Sequence, residues 1–296
     1  MSLLQSLRGT GVAVVTPFKK DESVDFVALE KLINFLVEGG VNYIVALGTT
    51  GETPTLEKQE KIDIIHCVAQ TLANRIPMVV GIGGNSTKAV AQDVATYPLD
   101  NAVAVLSASP YYNKPSQEGL IAHYTAVAEA SPKPIIMYNV PGRTGKNMEA
   151  ATTLALANNV KNIKGIKEAA GNITQCLAIV NNRPADFLVV SGDDELAFPE
   201  LAAGIDGVIS VAANCFPKQF SSMVQNALDG NFKHAKSINA ALVDCYHLLF
   251  AENNPAGVKA FLTELKLIEN VMRLPVTPLS SHLHQSVKQY LSKVNF

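Results

Sequence analysis

One lysine lies where an amine can act as a nucleophile. Lys167 ends the short apolar run Ile163–Lys167. Alternation of side chains along a strand places it on the face of Ile163 and Gly165, opposite Lys164. If that face is enclosed, burial of an isolated ammonium is costly and the neutral amine is favoured. A neutral amine attacks a carbonyl carbon to give a Schiff base. A lysine paired with the acidic residue that follows it, or one exposed at a strand end, is the alternative.

Tyrosine and threonine hydroxyls follow other apolar runs of the chain. Tyr138 ends one run, Tyr112 comes shortly after another, and Thr49 and Thr50 lie in a glycine-flanked turn after a third. Hydroxyl groups gathered at one rim can relay protons in acid–base catalysis. The backbone N–H groups of a tight turn can also hold a carboxylate. An aromatic wall without a catalytic role is the alternative for the tyrosines.

An arginine between glycines is a candidate for binding a second carboxylate. Arg143 lies between Gly142 and Gly145, shortly after Tyr138. Its planar guanidinium can donate two parallel hydrogen bonds to a carboxylate. A surface salt bridge is equally compatible with the sequence.

Two further motifs fail to support a bound cofactor or metal. In the stretch Gly81–Ser86, Ser86 stands where the dinucleotide fingerprint requires its third glycine. The acidic run Asp193–Glu195 has no histidine nearby to complete a transition-metal site. It also follows the seventh apolar run, where many barrels bind phosphate, and so argues against a phosphorylated substrate.

Eight short apolar runs must position these residues. The runs are rich in β-branched residues and nearly continuous, which is typical of parallel strands buried on both faces. They cover residues 12–15, 43–47, 78–80, 102–106, 135–138, 163–167, 187–190 and 207–211. Amphipathic segments separate them; one begins after Asp25 and ends at Gly39 and Gly40. Eight such units predict a closed (β/α)8 TIM barrel of the α/β class, with an open doubly wound sheet as the alternative.

The length agrees with a single barrel, and the composition argues against a nucleic-acid-binding or membrane-spanning protein. The 296 residues are interpreted as a barrel domain over 1–230 and a C-terminal helical region over 231–296, where the strand pattern ends. Since 24 Lys and Arg oppose 26 Asp and Glu, no basic excess predicts nucleic-acid binding. No apolar run approaches the ~18 residues that span a bilayer, and no Cys-x-x-Cys pair occurs. We therefore expect a cytoplasmic protein without membrane association.

Four motifs, in order and at matching spacing, resemble the dihydrodipicolinate synthase / N-acetylneuraminate lyase family of class I pyruvate aldolases. The motifs are Gly48–Glu52, Tyr111–Pro115, Tyr138–Gly145 and Gly165–Glu168. The resemblance covers nearly the whole chain. Within the family, the segment Pro141–Gly145 resembles that of the synthases. Sialate lyases lack the arginine at this position. Ser109 replaces the more usual threonine, which is a conservative change.

The resemblance implies a (β/α)8 barrel that condenses pyruvate with L-aspartate-4-semialdehyde on the diaminopimelate route to lysine. In this family the residue matching Lys167 attacks the pyruvate ketone. The residue matching Tyr138 is the general acid and base, and it relays protons through Thr50 to Tyr112. No metal or organic cofactor is implied. Other class I pyruvate aldolases (a 2-keto-3-deoxy-sugar acid aldolase, a 4-hydroxy-2-oxoglutarate aldolase or a sialate lyase) and a non-catalytic barrel remain alternatives.

The resemblance also implies which residues bind the two substrates. Thr49 and Thr50 match the residues that hold the pyruvate carboxylate, and Arg143 matches the one that binds the carboxylate of the semialdehyde. Gly192 and Ile209 match positions that line the site through backbone carbonyls. The family further implies a homotetramer built as a dimer of dimers, in which Tyr112 reaches in from the neighbouring subunit.

Feedback by lysine is a property of some family members. Their ligand binds in a cleft at the dimer interface, and sensitive members typically carry a histidine matching Lys61 and a glutamate matching Ala89. Here the acidic partner of the ligand is absent and a positive charge is added. We therefore expect inhibition by lysine to be weak or absent.

Overall fold

Eight parallel strands form the centre of the protein. A computed structural model describes residues 2–294. Within that part of the chain the strands pair in chain order, and the last pairs with the first. They are β1 (Gly9–Ala13), β2 (Tyr43–Ala46), β3 (Met78–Gly81), β4 (Ala102–Ala108), β5 (Ile135–Asn139), β6 (Ile163–Glu168), β7 (Leu188–Ser191) and β8 (Gly207–Ser210). The predicted (β/α)8 barrel is confirmed, and the open sheet is excluded.

Helices surround the barrel and continue beyond its last strand. Residues 2–294 contain α1 (Leu3–Leu7), α2 (Phe26–Glu38), α3 (Lys58–Leu72), α4 (Thr87–Thr96), α5 (Gln117–Ala130), α6 (Pro141–Thr144), α7 (Ala150–Asn159), α8 (Ile173–Asn182), α9 (Ala197–Ala202), α10 (Pro217–Leu228), α11 (Phe232–Phe250), α12 (Ala256–Glu264) and α13 (Ser281–Lys293). Three 3-10 turns cover Thr49–Gly51, Thr53–Thr55 and Ala212–Asn214. In the same described range, no helix combines the length and apolar character needed to cross a membrane.

The predicted ends of α2 are confirmed. The Asp25 side chain accepts a hydrogen bond from the backbone N–H of Ala28 at 3.0 Å, which satisfies one donor of the first helical turn. The helix ends at Gly39, and Gly40 follows with a φ of 81°, a left-handed conformation that glycine adopts without a steric penalty.

The first strand lies earlier than its apolar run indicated. The run at 12–15 predicted the strand there, whereas β1 covers Gly9–Ala13. The prediction missed the start of β1 because the first three residues of the strand include two glycines, which contribute nothing to an apolar pattern. A side chain at Gly11 is excluded by packing, since its Cβ would lie 2.2 Å from the ring of Tyr43.

Two layers of apolar side chains hold the fold together. One fills the barrel interior and consists of Ala13, Tyr43, Val45, Val79, Ala104, Leu106, Ile136, Tyr138, Leu188, Val190 and Ile209, joined by Leu7 from α1. The larger one lies between the strands and the helices. It includes Tyr246 of α11, Phe261 of α12 and Tyr290 of α13, so the C-terminal helices pack on the barrel. Residues 231–294 contribute helices and no strand.

An irregularity in β6 corrects the predicted face of Ile163. The pairing with β5 joins Ile135 to Ile163 and then Ile136 to Gly165, so Lys164 has no partner in this register. Such a bulge shifts the alternation by one residue. Ile163 consequently packs in the layer outside the barrel, so placing it on the face of Lys167 was wrong.

Candidate active site

Lys167 and Tyr138 lie side by side at the carboxyl end of the barrel. The register of β5 and β6 pairs Tyr138 directly with Lys167. The lysine is 4% exposed and the tyrosine 7% exposed. The lysine Nζ lies 4.5 Å from the centroid of the tyrosine ring. Lys167 is therefore enclosed, which meets the condition set by the sequence analysis, and an amine and a hydroxyl group share one buried space.

Gly192 makes room for the stem of this lysine. A Cβ at this position would lie 2.6 Å from Lys167 Cε and 2.7 Å from Ala169 Cβ, closer than non-bonded carbons approach. Its backbone N–H donates to the carbonyl of Glu168 at 2.7 Å, which fixes the end of β7 beside β6. A glycine is required here because any side chain would displace the lysine.

Glu168 faces away from the barrel interior. Its carboxylate accepts hydrogen bonds from Asn139 Nδ2 at 2.9 Å, from Gln175 Nε2 at 3.0 Å and from the backbone N–H of Ala170 at 2.8 Å. Burial raises the pKa of Glu168, and these hydrogen bonds act in the opposite direction. The carboxylate therefore belongs to the layer between strands and helices. The alternative of a Lys167–Glu168 pair does not fit this arrangement.

The turn after β2 brings two threonines to the same space. The Gly51 N–H donates to the Gly48 carbonyl at 3.0 Å, and the Thr16 hydroxyl donates to the Gly51 carbonyl at 2.7 Å. These bonds close a 3-10 turn in which Thr50 is 2% exposed and Thr49 is half-buried. Since the first N–H groups of a helical turn have no partner within it, the turn can accept an anion.

The C-terminal helices hold the far end of this turn. Glu52 adopts a left-handed φ of 53°, and its carboxylate pairs with the ammonium of Lys259. The lysine is fully buried and lies 4.2 Å from the centroid of the Phe18 ring. Burial lowers the pKa of Lys259 to about 8, and the neighbouring carboxylate opposes that change. The Arg273 N–H adds a hydrogen bond to Glu52 Oε2 at 3.2 Å. The turn is thus anchored from α12 and the segment after it.

A cavity of about 390 Å³ joins these groups. Six of the predicted site residues line it, namely Lys167, Tyr138, Thr49, Thr50, Arg143 and Gly192. The sequence reasoning missed other residues that line it, among them Val211, Phe250, Asn253 and Asn254. The sequence signal at this place is the pair Asn254 and Pro255, which is typical of a break between helices. The cavity is large enough for two small carboxylated molecules.

Two predicted residues lie elsewhere in this chain. The side chain of Ile209 is 1% exposed and packs in the interior layer of the barrel. Tyr112 lies in the loop after β4 with a φ of 72°, and 90% of its side chain is exposed. Neither residue is among those that line the cavity. The roles expected for the Ile209 carbonyl and the Tyr112 hydroxyl stay predictions.

Arg143 lies at the mouth of the cavity. It is carried by the single turn α6, which begins at Pro141 and ends at Gly145 with a φ of 71°. The guanidinium is exposed, and its Nη2 donates to the backbone carbonyl of Asn254 at 3.2 Å. The remaining donors of the guanidinium can bind an anion that enters from solvent.

Two acidic residues that follow β7, Asp194 and Glu200, are buried. Asp194 accepts hydrogen bonds from the N–H groups of Val211 at 3.0 Å and Ala212 at 2.7 Å, and burial raises its pKa to about 6. Burial also raises the pKa of Glu200 to about 7. Across residues 2–294 no three His, Cys, Asp or Glu side chains are grouped so that they could hold a metal ion.

The closed barrel encloses a lysine beside a tyrosine at the carboxyl ends of its strands, which is where (β/α)8 enzymes carry their active sites. The model of the dihydrodipicolinate synthetase family matches residues 6–294. The chain belongs to this family.

Known relatives and solved structures match this chain over almost its full length. The chain is 48% identical over 290 residues to the 4-hydroxy-tetrahydrodipicolinate synthase of Parabacteroides distasonis, covering 98% of each protein. The dihydrodipicolinate synthase of Thermotoga maritima superposes with a TM-score of 0.95 at 39% identity, covering 97% of this chain and 98% of that one. The enzyme of Acinetobacter baumannii, complexed with pyruvate, gives a TM-score of 0.94 at 41% identity with the same coverage.

Proposed function

We propose that this protein condenses pyruvate with L-aspartate-4-semialdehyde to give 4-hydroxy-tetrahydrodipicolinate. The observation that carries the proposal is the buried Lys167 amine beside Tyr138 in a cavity that also contains Thr50. The names of the relatives and the pyruvate bound to one of them support the same activity. The reaction belongs to the diaminopimelate route to lysine.

The chemistry begins at the lysine. The Lys167 amine attacks the ketone carbon of pyruvate, and loss of water gives an imine. The protonated imine withdraws electrons, so the methyl carbon of pyruvate loses a proton and becomes a nucleophilic enamine. The enamine carbon then attacks the aldehyde carbon of the second substrate, and the imine to Lys167 re-forms. The amino group of the second substrate attacks this imine carbon, closes the ring and displaces the Lys167 amine, so the only by-product is the water lost in the first step. The covalent imine supplies the electron sink, and the proposal includes no metal or organic cofactor.

Tyr138 handles the protons in this scheme. Its ring centroid lies 4.5 Å from Lys167 Nζ, and both side chains line the same cavity. General acid–base catalysis requires such a group within hydrogen-bond reach of the reacting atoms. Thr50 accepts and passes on the proton as the second member of the relay. The hydroxyl of Tyr112 from a neighbouring copy completes it.

The two ends of the cavity bind two carboxylates. The N–H groups of Thr49 and Thr50 and the Thr49 hydroxyl hold the pyruvate carboxylate, because the turn presents unpaired donors there. Arg143 binds the carboxylate of the semialdehyde at the mouth of the cavity. From the family resemblance, we also assign the backbone carbonyls of Gly192 and Ile209 to the substrate site; of these two residues, Gly192 lines the cavity. A charged clamp at the mouth favours a short carboxylated aldehyde over a neutral sugar.

One coupled assay tests the proposal. Pyruvate and aspartate semialdehyde are mixed with the protein, and product is measured through a downstream reductase. Turnover at a rate well above that with a neutral aldehyde of similar length supports the proposed substrate pair. Faster turnover of a sugar-derived aldehyde would instead support another aldolase of the family, and absence of turnover with every aldehyde would support a non-catalytic barrel.

The proposed assembly follows from the position of Tyr112. Because its side chain is almost fully exposed in one chain, it is free to enter the site of a second copy. We infer a homo-oligomer, and from the family resemblance a tetramer built as a dimer of dimers. Mixing inactive Tyr112→Phe and Lys167→Ala proteins should restore part of the activity in hybrid dimers, since one of the two sites then has both residues. Hybrid dimers without activity would contradict the shared site.

The proposed location is the cytoplasm. The four cysteines are all free and buried, as is common in a reducing compartment. Localisation of a tagged full-length protein, read against a cytoplasmic marker, tests this point.

A further inference from the structure

Asn254 connects the two ends of the cavity. Its side-chain Nδ2 donates to Thr50 Oγ1 at 2.9 Å, across 204 positions of sequence. Its backbone carbonyl accepts from Arg143 Nη2 at 3.2 Å. One residue of the segment between α11 and α12 therefore contacts both the threonine at the inner end and the arginine at the mouth.

The side chain of Asn254 is held in place. It is 6% exposed, and the next residue, Pro255, leads directly into α12. That helix carries Lys259, whose buried pair with Glu52 fixes the residue two positions after Thr50. The asparagine and the turn it contacts are thus anchored to each other at two points.

The hydrogen bond determines what the Thr50 hydroxyl can still do. A hydroxyl has one donor and two acceptor positions, and an amide NH₂ can only donate. Asn254 therefore occupies one acceptor position of Thr50 Oγ1. One donor and one acceptor remain, and these are the two functions that a proton relay needs. The rotation of the O–H bond is also restricted, because its hydrogen must point away from Asn254.

We propose that Asn254 is a positioning residue that orients the Thr50 hydroxyl for proton transfer. The proposal rests on the proposed function, since it assigns Thr50 a place in the relay. It predicts that Asn254 acts on the chemical step through Thr50. Binding of the aldehyde depends on Arg143, which contacts only the backbone of residue 254, so a side-chain substitution leaves that contact in place.

A double-mutant cycle tests the proposal. Asn254→Ala should lower kcat by roughly tenfold to a hundredfold, because it misorients but does not remove a group in acid–base catalysis, which as a whole contributes about 10²–10⁴-fold. The KM for the aldehyde should stay within about twofold of wild type. In a Thr50→Val background the same substitution should change kcat by less than about twofold, because the hydroxyl that it orients is gone. Equal losses in both backgrounds, or an unchanged kcat in the single variant, would overturn the proposal.

A second variant and a second readout test the proposal if Asn254→Ala does not fold or if the wild-type protein does not turn over the aldehyde. If Asn254→Ala does not fold, as judged by its melting temperature, Asn254→Asp replaces it in the cycle. The aspartate keeps the side-chain volume but presents only acceptors to Thr50, so the same loss of kcat is expected. If the wild-type protein does not turn over the aldehyde, the proposed function fails. The cycle is then measured on the rate of borohydride trapping with pyruvate alone, with the same non-additivity expected.

Discussion

The inner end of the cavity and its mouth differ in how they are built. At the inner end, Lys167 and Tyr138 come from adjacent strands, and both are almost fully buried. At the mouth, Arg143 is exposed on a single helical turn. Tyr112 is exposed on the loop after β4 and does not line the cavity of its own chain, so a second copy must supply this residue. The strand register fixes the inner groups before any substrate arrives, whereas substrate or a second chain must complete the outer ones. We infer that the inner end forms the covalent intermediate and that Arg143 at the mouth provides specificity.

The largest effect is expected at the inner end. Lys167→Ala removes the only amine that the cavity lining provides, so the covalent route disappears and kcat should fall by several orders of magnitude. The melting temperature should stay near that of wild type, because the variant removes a buried amine rather than a core contact. Steady-state kinetics and thermal unfolding measure the two effects. A Lys167→Ala protein with more than about a tenth of wild-type kcat would contradict the division between the two ends.

A smaller effect, confined to one substrate, is expected at the mouth. Arg143→Ala should raise the KM for aspartate semialdehyde by roughly ten- to a hundredfold, since a charge-assisted hydrogen bond contributes about 1.5–3 kcal/mol. The KM for pyruvate should change little. Arg143→Lys keeps the charge but not the paired donors, so its KM for aspartate semialdehyde should lie between those of wild type and Arg143→Ala. Equal changes for both substrates would show that Arg143 does not distinguish them.

Glu200, a buried acid outside the cavity, is expected to affect stability and not turnover. Burial raises the pKa of Glu200 to about 7, above its unfolded value of about 4.5. Its stabilising contribution is therefore present below pH about 4.5 and is lost as the pH rises through 7. Glu200→Gln removes the cost of the buried charge, so at pH 8 it should raise the free energy of unfolding by about 1–3 kcal/mol. At pH 5 it should change little.

Chemical denaturation at the two pH values measures this difference. Glu129→Gln on α5 is the control, because that glutamate is exposed and its substitution should be neutral at both pH values. Turnover should be unaffected by Glu200→Gln, since this residue does not line the cavity. A stability difference that is independent of pH would argue against a buried charge at Glu200.

The smallest effect is expected from lysine. Lys61 and Ala89 replace the histidine and glutamate that sensitive family members carry, so an ammonium ligand loses its acidic partner. Little inhibition is expected with lysine up to about 1 mM. Half-inhibition far below that concentration would refute the expectation. Ala89→Glu should increase sensitivity if the charge argument is correct.

The inner end was predictable from the sequence because strand residues obey a short-range rule. Alternation and the ends of apolar runs located Lys167 and Tyr138, and glycines flanking the turn marked Thr49 and Thr50. The same rule misplaced Ile163, because a bulge at Lys164 shifts the alternation and bulges leave no composition signal.

The connection between the two ends was not predictable from pattern. Asn254 reaches Thr50 from 204 positions away, and its neighbourhood showed only a break between helices. Long-range contacts of this kind depend on how α12 packs against the barrel, which periodicity does not encode. The boundary placed after residue 230 in the sequence analysis marks where the strands end. The helices beyond it share one apolar layer with the barrel.

Reduction of the protein with borohydride in the presence of pyruvate tests the central claim most directly. The account predicts one reduced pyruvate bound per chain, located on Lys167 by mass spectrometry of peptides, and no labelling of Lys167→Ala. Lys259, the other lysine buried near the turn, should remain unmodified because its ammonium is paired with Glu52. Labelling of Lys167→Ala to the wild-type extent, or an adduct on another lysine, would contradict the account.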